Sequence, residues 1–175
     1  SKEQLCETSG EGTAALYWLH NVVKMLADHP VVKEGKPQFI HINEMSVSTL
    51  LPNKNYVLLR RFSSKDDNSR LIAAPYFGNM TSCAHVGIEN KLNYIYRPKE
   101  HLNRMEVMGI AALLNSDLFD NYFRTFNGNV NVSATELREM PMPPLEVIES
   151  IGKDLIAMND YSMVNVNKIV NKYFM

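Results

Sequence analysis

Residues 113–144 constrain the fold and the function of this chain more than any other stretch. Leu114, Leu118, Tyr122 and Phe126 recur every four residues, a spacing that predicts an amphipathic helix. Further aromatic residues flank this stripe. We therefore expect the aromatic side chains of the helix to pack in the hydrophobic core and not to serve as a platform for stacked bases.

A polar loop and a short capped turn follow this helix. Residues 127–131, Asn-Gly-Asn-Val-Asn, carry three amide side chains, and Gly and Asn favour a break in the helix. Ser133 and Glu136 have the spacing of a capping box, and three prolines between positions 141 and 144 end the turn. Amides on a loop held between rigid elements are suited to hydrogen bonding with the edges of bases.

Three blocks of sequence occur in an order typical of one protein family. The first block is Leu114-Asn115-Ser116, Asp120, Tyr122-Phe123-Arg124, Asn127-Gly128-Asn129, Val132-Ser133-Ala134-Thr135, Leu137, residues 143–148 and Ile151-Gly152. The second is residues 55–65, and the third is residues 86–94. Together the blocks resemble the C-terminal target-recognition domain of adenine-specific DNA methyltransferases of restriction–modification systems, the TaqI-like class, over residues 36–152. Lys91 stands where the family pattern has His, and Asp66-Asp67 where it has Glu-Glu or Glu-Arg.

The resemblance implies a function that is divided between two parts of a larger enzyme. The parent would use S-adenosylmethionine and flip an adenine out of the duplex, and its N-terminal methyltransferase domain would be a partner of this chain. The Asn-Pro-Pro-Tyr motif of that catalytic domain does not occur here, and the Gly-rich residues 9–12 follow no predicted strand. We therefore expect a fragment that recognises double-stranded DNA, without catalytic residues, a metal or a cofactor of its own.

Charge is segregated along the chain although the net charge is only −1. Residues 54–104 contain nine Lys and Arg against four Asp and Glu, whereas residues 106–160 contain three against nine. If the basic segment forms one face, that face can meet phosphates while the acidic segment points away. The alternative is that neighbouring charges simply pair with one another.

Length and cysteine content place the chain among ordinary globular domains. The 175 residues favour one compact domain, and the two cysteines form neither a disulfide framework nor a metal pair. No apolar run approaches the roughly 18 residues that predict a membrane span. We expect a cytoplasmic protein without membrane contact.

These patterns give a set of candidate DNA-contacting residues. We expect contacts to DNA from Arg60, Arg61, Ser63, Ser64, Lys65, Asn90, Lys91, Asn93, Asn127, Asn129 and Asn131. We expect phosphate contacts from Lys54 and Arg97. Arginine and lysine suit guanine edges, asparagine suits adenine, and hydroxyl groups with an ammonium suit a phosphate.

Each group of candidates also has a purely structural interpretation. Because side chains alternate along a strand, one of Arg60 and Arg61 must point to the apolar side, where it needs a partner such as Glu89. Ser64 could cap a turn with Asp67, and the asparagines around residue 91 could bond their own backbone. The sequence leaves both interpretations open.

The predicted fold class is α+β, with a central mixed sheet of short strands and helices from both chain ends, like a target-recognition domain. Residues 1–35 are predicted as a helical lead-in, with an amphipathic helix over 13–28. Residues 36–152 form the recognition core, and residues 153–175 form a helical tail. We expect a strand over residues 56–63, short strands over 86–88 and 93–97 around a polar bend, and helices over 104–114, 145–158 and 163–174. Asn115 or Ser116 is expected to cap the helix that follows residue 114.

Two other classes of function stay open on the sequence. A specificity half-module of a multi-subunit restriction complex would also have a proline-rich turn before a helix, but the helix predicted over residues 145–158 is short and contains Gly152. A protein-interaction domain without DNA binding is the other alternative, and it would lack a basic groove with salt-sensitive affinity for DNA.

Overall fold

The computed structural model describes residues 2–63, 66–128 and 131–174. Strands occupy the first hundred residues and α-helices the remainder. The strands are β1 Leu5–Cys6, β2 Thr13–Tyr17, β3 Val22–Val23, β4 Leu26–Ala27, β5 Phe39–His41, β6 Leu51–Pro52, β7 Tyr56–Arg60, β8 Ala73–Tyr76, β9 His85–Ile88 and β10 Leu92–Ile95. The helices are α1 Arg104–Asn115, α2 Asp117–Phe126, α3 Ala134–Arg138, α4 Leu145–Met158 and α5 Met163–Phe174.

The strands form two principal sheets and one small pair. A five-stranded mixed sheet has the order β1-β5-β2-β9-β6, in which only the β2–β9 pair is parallel. An antiparallel sheet has the order β10-β7-β8, and β3 pairs with β4. The α+β class with a mixed sheet is thus confirmed, with the helices at the C-terminal end. Strands β9 and β10, which the sequence predicts around one bend, belong to different sheets.

The helix predicted over residues 13–28, and with it the helical lead-in over 1–35, is wrong. This segment forms β2, β3 and β4. The backbone of β2 pairs with β5 on one side, through Thr13 opposite His41, and with β9 on the other, through Leu16 opposite Gly87. Pairing on both edges overrides a helical spacing of apolar residues, because periodicity reports only local preference.

Strand β7 is the centre of the fold because both of its faces are buried. Val57 and Leu59 pack against the helices, while Tyr56 and Leu58 pack against residues of the other sheet. Such a strand has an almost continuous apolar sequence instead of strict alternation. The three-stranded sheet therefore separates two hydrophobic cores, and the end of β7 at Arg60 has a fixed position.

The stripe predicted on α2 to pack in the core faces solvent instead, and the neighbouring aromatic residues are buried. Phe119 and Phe123 are buried, whereas Leu118, Tyr122 and Phe126 are 40%, 48% and 41% exposed. Helix α2 has apolar residues on two adjoining faces. The polar contacts of Asp120 place the face of Phe119 and Phe123 toward the core.

The C-terminal helices match the sequence-based predictions closely. Helices α1, α4 and α5 begin and end within a residue or so of the predicted bounds, and the predicted caps at Ser116 and Ser133 accept hydrogen bonds from Phe119 N and Glu136 N. The predicted boundary at residue 153 falls inside α4. The longest helix in the described part of the chain has 14 residues, and none there is long and apolar enough to cross a bilayer.

Two glycines allow α1 and α4 to touch backbone to backbone. A Cβ atom on Gly109 would lie 2.0 Å from the Ile148 carbonyl oxygen, and one on Gly152 would lie 1.9 Å from the Met105 carbonyl oxygen. These contacts are far shorter than van der Waals distance. The close crossing therefore requires glycine at both positions.

We expect Gly152→Ala to destabilise the protein although alanine is the better helix former. Overpacking costs about 1–3 kcal/mol or more, which exceeds the gain in helix propensity of at most about 1 kcal/mol. Urea unfolding followed by circular dichroism measures the change. Gly10→Ala is the matched control, because nothing lies within 4 Å of its added methyl group. Equal stability of the two variants would contradict the close crossing.

Candidate nucleic-acid interface

The backbone just beyond β7 joins two loops that are distant in sequence. Arg61 N donates to the Lys91 carbonyl at 2.9 Å, and Val132 N donates to the Arg61 carbonyl at 2.7 Å. Phe62 forms an isolated bridge with Asn131. The turn before β10 and the segment after the 127–131 loop therefore flank Arg61 and Phe62 on opposite sides. We call residues 61–62, 89–93 and 131–132 the junction.

The junction presents three polar side chains to solvent. Asn90, Lys91 and Asn131 are exposed, and none of their side chains makes a hydrogen bond within the described ranges. The turn beneath them is held by Glu89, whose carboxylate accepts a hydrogen bond from Lys91 N at 2.9 Å. The arrangement offers two amides and one ammonium on a fixed backbone.

Arg61 and Asn93 hold the junction together. The Arg61 guanidinium donates to the Asn90 carbonyl at 2.6 Å, and its side chain lies over the Phe62 ring at 5.8 Å. The Asn93 amide donates to the Val132 carbonyl at 3.0 Å. Both side chains are only partly exposed, and these contacts orient them.

Arg60 is the half-buried arginine that alternation predicts, but its partner differs from the expected acid. Its Nε donates to the Val22 carbonyl at 2.7 Å, whereas the Glu89 carboxylate holds the Lys91 backbone. Burial lowers the pKa of the Arg60 guanidinium, and the negative charge of Asp67 opposes that change. An arginine keeps its charge under such a shift, so Arg60 stays a cation.

Ser63 and Asn127 belong to the protein interior, so their predicted DNA contacts are corrected. Both residues are less than a tenth exposed. Ser63 Oγ donates to the Arg70 carbonyl at 2.8 Å, and the Arg70 guanidinium donates to the Ser63 carbonyl and to Asn127 Oδ1. The Asn127 amide donates to the Asn131 carbonyl at 3.1 Å and to Glu136 at 2.7 Å. Their polar atoms thus support the junction from within.

The sequence-based predictions did not include the buried charges beneath this region. Arg70 is only 1% exposed, and Asp120 only 4%. Asp120 Oδ1 accepts hydrogen bonds from the backbone N–H groups of Arg70 and Leu71 at 2.7 and 2.8 Å, and Oδ2 accepts from Arg124 at 2.8 Å. Burial and the charge of Arg124 lower the pKa of the Arg70 guanidinium. The negative charges of Asp120 and other nearby acids oppose this change. The helical spacing of Asp120 and Arg124 was the available signal.

We expect Asp120→Ala to destabilise the protein strongly and Asp120→Asn much less. Alanine leaves two backbone donors without their acceptor, at a cost of about 1–3 kcal/mol each, whereas asparagine keeps an oxygen at that position. Chemical unfolding of both variants measures the difference. Equal losses of stability would show that the negative charge of Asp120, and not its oxygen, does the work.

Arg97 pairs with a buried acid, and its expected contact with a phosphate stays a prediction. Its guanidinium forms a two-pronged ion pair with Glu106, with one distance of 2.8 Å. Burial alone would raise the pKa of the Glu106 carboxyl, but hydrogen bonds from Arg97 and Asn103 N, with the charge of Arg97, hold it below its usual value. The same carboxylate accepts a hydrogen bond from Asn103 N at 3.0 Å and so completes the capping box of α1.

The predicted basic face is divided between the two ends of the β7–β10 pair. Lys54 is exposed and lines a cavity at one end, together with Tyr94, Tyr96, Arg97 and Lys99. Arg60 and Lys91 line a groove at the other end. Of the remaining candidates, Ser64, Lys65 and Asn129 lie outside the described residues.

The groove beside Arg60 contains residues that the sequence-based reasoning missed. Trp18, His20, Lys33 and Lys36 line it together with Arg60, Leu19, Glu89 and Lys91, around a volume of about 340 Å³. The incorrect prediction of a helix over residues 13–28 explains why the groove was missed. That prediction gave no reason to expect Trp18 and His20 beside the end of β7. The pair of lysines three residues apart was the available signal.

The Gly-rich residues 9–12 do not fit a nucleotide cofactor. They form the turn between β1 and β2, where Thr13 N and Oγ1 both donate to the Gly10 carbonyl. A dinucleotide loop leads from a strand into the N-terminus of a helix, where backbone N–H groups face a phosphate. This turn leads into a strand.

Comparison with known proteins finds similarity to bacterial methyltransferases. The chain is 37% identical to the type II methyltransferase M.BsuBI of Bacillus subtilis over 155 residues, which cover 89% of this chain and 31% of that protein. It is 32% identical to the type II methyltransferase M.PstI of Providencia stuartii over 143 residues, 82% of this chain and 28% of that protein. The chain thus corresponds to about a third of the length of these relatives. No family model matches it, and no solved structure does.

Proposed function

We propose that this chain recognises the sequence of duplex DNA for an adenine-specific methyltransferase. The similarity to type II methyltransferases supports a role related to methyl transfer. In this proposal a separate methyltransferase domain holds S-adenosylmethionine and performs the chemistry on a flipped adenine. The present chain binds the duplex and places the target base before that domain.

One observation carries the proposal. Two polar loops meet at the junction, although Lys91 and Asn131 are 40 residues apart in the sequence. Asn90 and Lys91 lie on one side of Arg61 and Phe62, and Asn131 lies on the other. Base readout needs hydrogen-bonding groups that are fixed in position, because donors and acceptors must match the pattern in a groove. The buried contacts of Arg70 and Asp120 supply that rigidity.

The residues of the junction have different proposed roles. In this proposal Asn90 and Asn131 read bases, and Lys91 joins them because lysine can bind the O6 and N7 atoms of guanine. Arg61 and Asn93 orient the two loops. Lys54, at the other end of β7, is a phosphate contact that gives affinity without sequence preference.

Selection from a pool of random short duplexes at low salt tests this proposal with the chain itself. We expect one short motif to be enriched over the pool. In Asn90→Ala and Asn131→Ala the preference for that motif over a scrambled duplex should fall by about 1–3 kcal/mol, because each lost base contact removes discrimination. Lys54→Ala should weaken binding to both duplexes alike and lower the salt slope by about one unit.

Asn171→Ala on α5 is the matched control, since Asn171 is exposed and does not belong to the junction. It should leave both affinity and preference unchanged. Recovery of no motif, or equal losses on motif and scrambled duplex in the junction variants, would overturn the proposal that the junction reads sequence.

A further inference from the structure

We propose that the groove lined by Trp18, Lys33, Lys36 and Arg60 binds the phosphodiester backbone of DNA. The inference rests on the proposed function and extends it to a separate site, next to the junction and built largely from residues 18–36. It assigns these residues the phosphates, while the junction retains the bases.

The groove concentrates positive charge from three separate segments of the chain. Lys33 and Lys36 come from the connection before β5, Arg60 from the end of β7, and Lys91 from the turn before β10. Glu89 contributes one negative charge to the lining, so the four cations exceed the acids by three. Among the described residues, no ion pair within 4.0 Å joins any of these cations to an acid.

Hydrogen bonds hold the walls of the groove in position. The Trp18 indole N–H donates to the Pro37 carbonyl at 2.5 Å, and Lys36 Nζ lies 4.7 Å from the centre of the indole ring. His20 Nε2 is 2.9 Å from the Val31 carbonyl oxygen, and Arg60 Nε donates to Val22. These contacts hold both sides of the groove. The lysine side chains can still move, because an ammonium group sits at the end of a flexible stem.

This chemistry suits a phosphate chain better than a small anion. Ammonium groups on flexible stems act as point charges that can follow successive phosphates, whereas a site for one small ligand needs a closed set of directional contacts. Lys91 belongs both to this groove and to the junction. A backbone lying in the groove would therefore bring the adjoining bases to Asn90 and Asn131.

The variant that tests the groove is Lys33→Ala combined with Lys36→Ala. The control is Lys153→Ala combined with Lys168→Ala, which removes the same charge from exposed positions on α4 and α5. Binding of random-sequence duplex is measured by anisotropy across a salt series. Each lost phosphate contact lowers the salt slope by about 0.9, so over a fourfold rise in salt the groove variant should lose roughly tenfold less affinity than the control.

Trp18 gives a second, local readout because it is the only tryptophan in the chain. Its emission should change when duplex is added to the wild type and to the control, and should stay constant in the groove variant. The same titration with an abasic deoxyribose-phosphate strand isolates phosphate binding from base reading. We expect that strand to change the emission of the wild type as well.

The outcomes separate the groove from the proposed function. Duplex binding with an unaltered salt slope in the groove variant, and no response of Trp18, overturns the groove and leaves the recognition function intact. In a second outcome, the abasic strand changes the emission of Trp18 in the wild type but not in the groove variant, and duplex does not bind. This result supports the groove as a phosphate site and overturns the recognition function. Silence in both titrations overturns both.

Discussion

The carboxylate of Asp120 is the contact on which the rest of the candidate interface depends. It accepts two backbone N–H groups from the segment leading into β8 and one from Arg124 on its own helix, so it ties a sheet to a helix in the interior. Arg70, held at this point, reaches Ser63 and Asn127. A buried charge pair adds little net stability, but it penalises every arrangement that leaves a charge unpaired. It thereby fixes where the two polar loops meet.

Sequence patterns predicted the parts of the fold that local physics determines. The helices over residues 104–115, 145–158 and 163–174 have caps and apolar spacing that need no distant partner, and β7 has the continuous apolar sequence of a strand buried on both faces. Residues 13–27 failed because their strand state depends on pairing with β5 and β9, which comes from residues far along the chain. No local window contains that information.

The candidate site was predictable as residue types on loops, but not as a surface. Asn90, Lys91 and Asn131 were identified from their chemistry and are exposed, whereas Ser63 and Asn127 have the same chemistry and are buried. Only tertiary contacts distinguish the two groups. The groove with Trp18, Lys33 and Lys36 depends on the strand arrangement of the N-terminal segment, so the error in that segment removed the groove from view.

The central claim is that the junction faces DNA, and amide NMR of the labelled chain with random-sequence duplex tests it most directly. The account predicts that the resonances of Arg61, Asn90, Lys91, Asn131 and Val132 shift together as duplex is added, while those of α4 and α5 keep their positions. Shifts concentrated on α4 and α5, with the junction unchanged, would contradict the account and place the DNA-binding surface on those two helices.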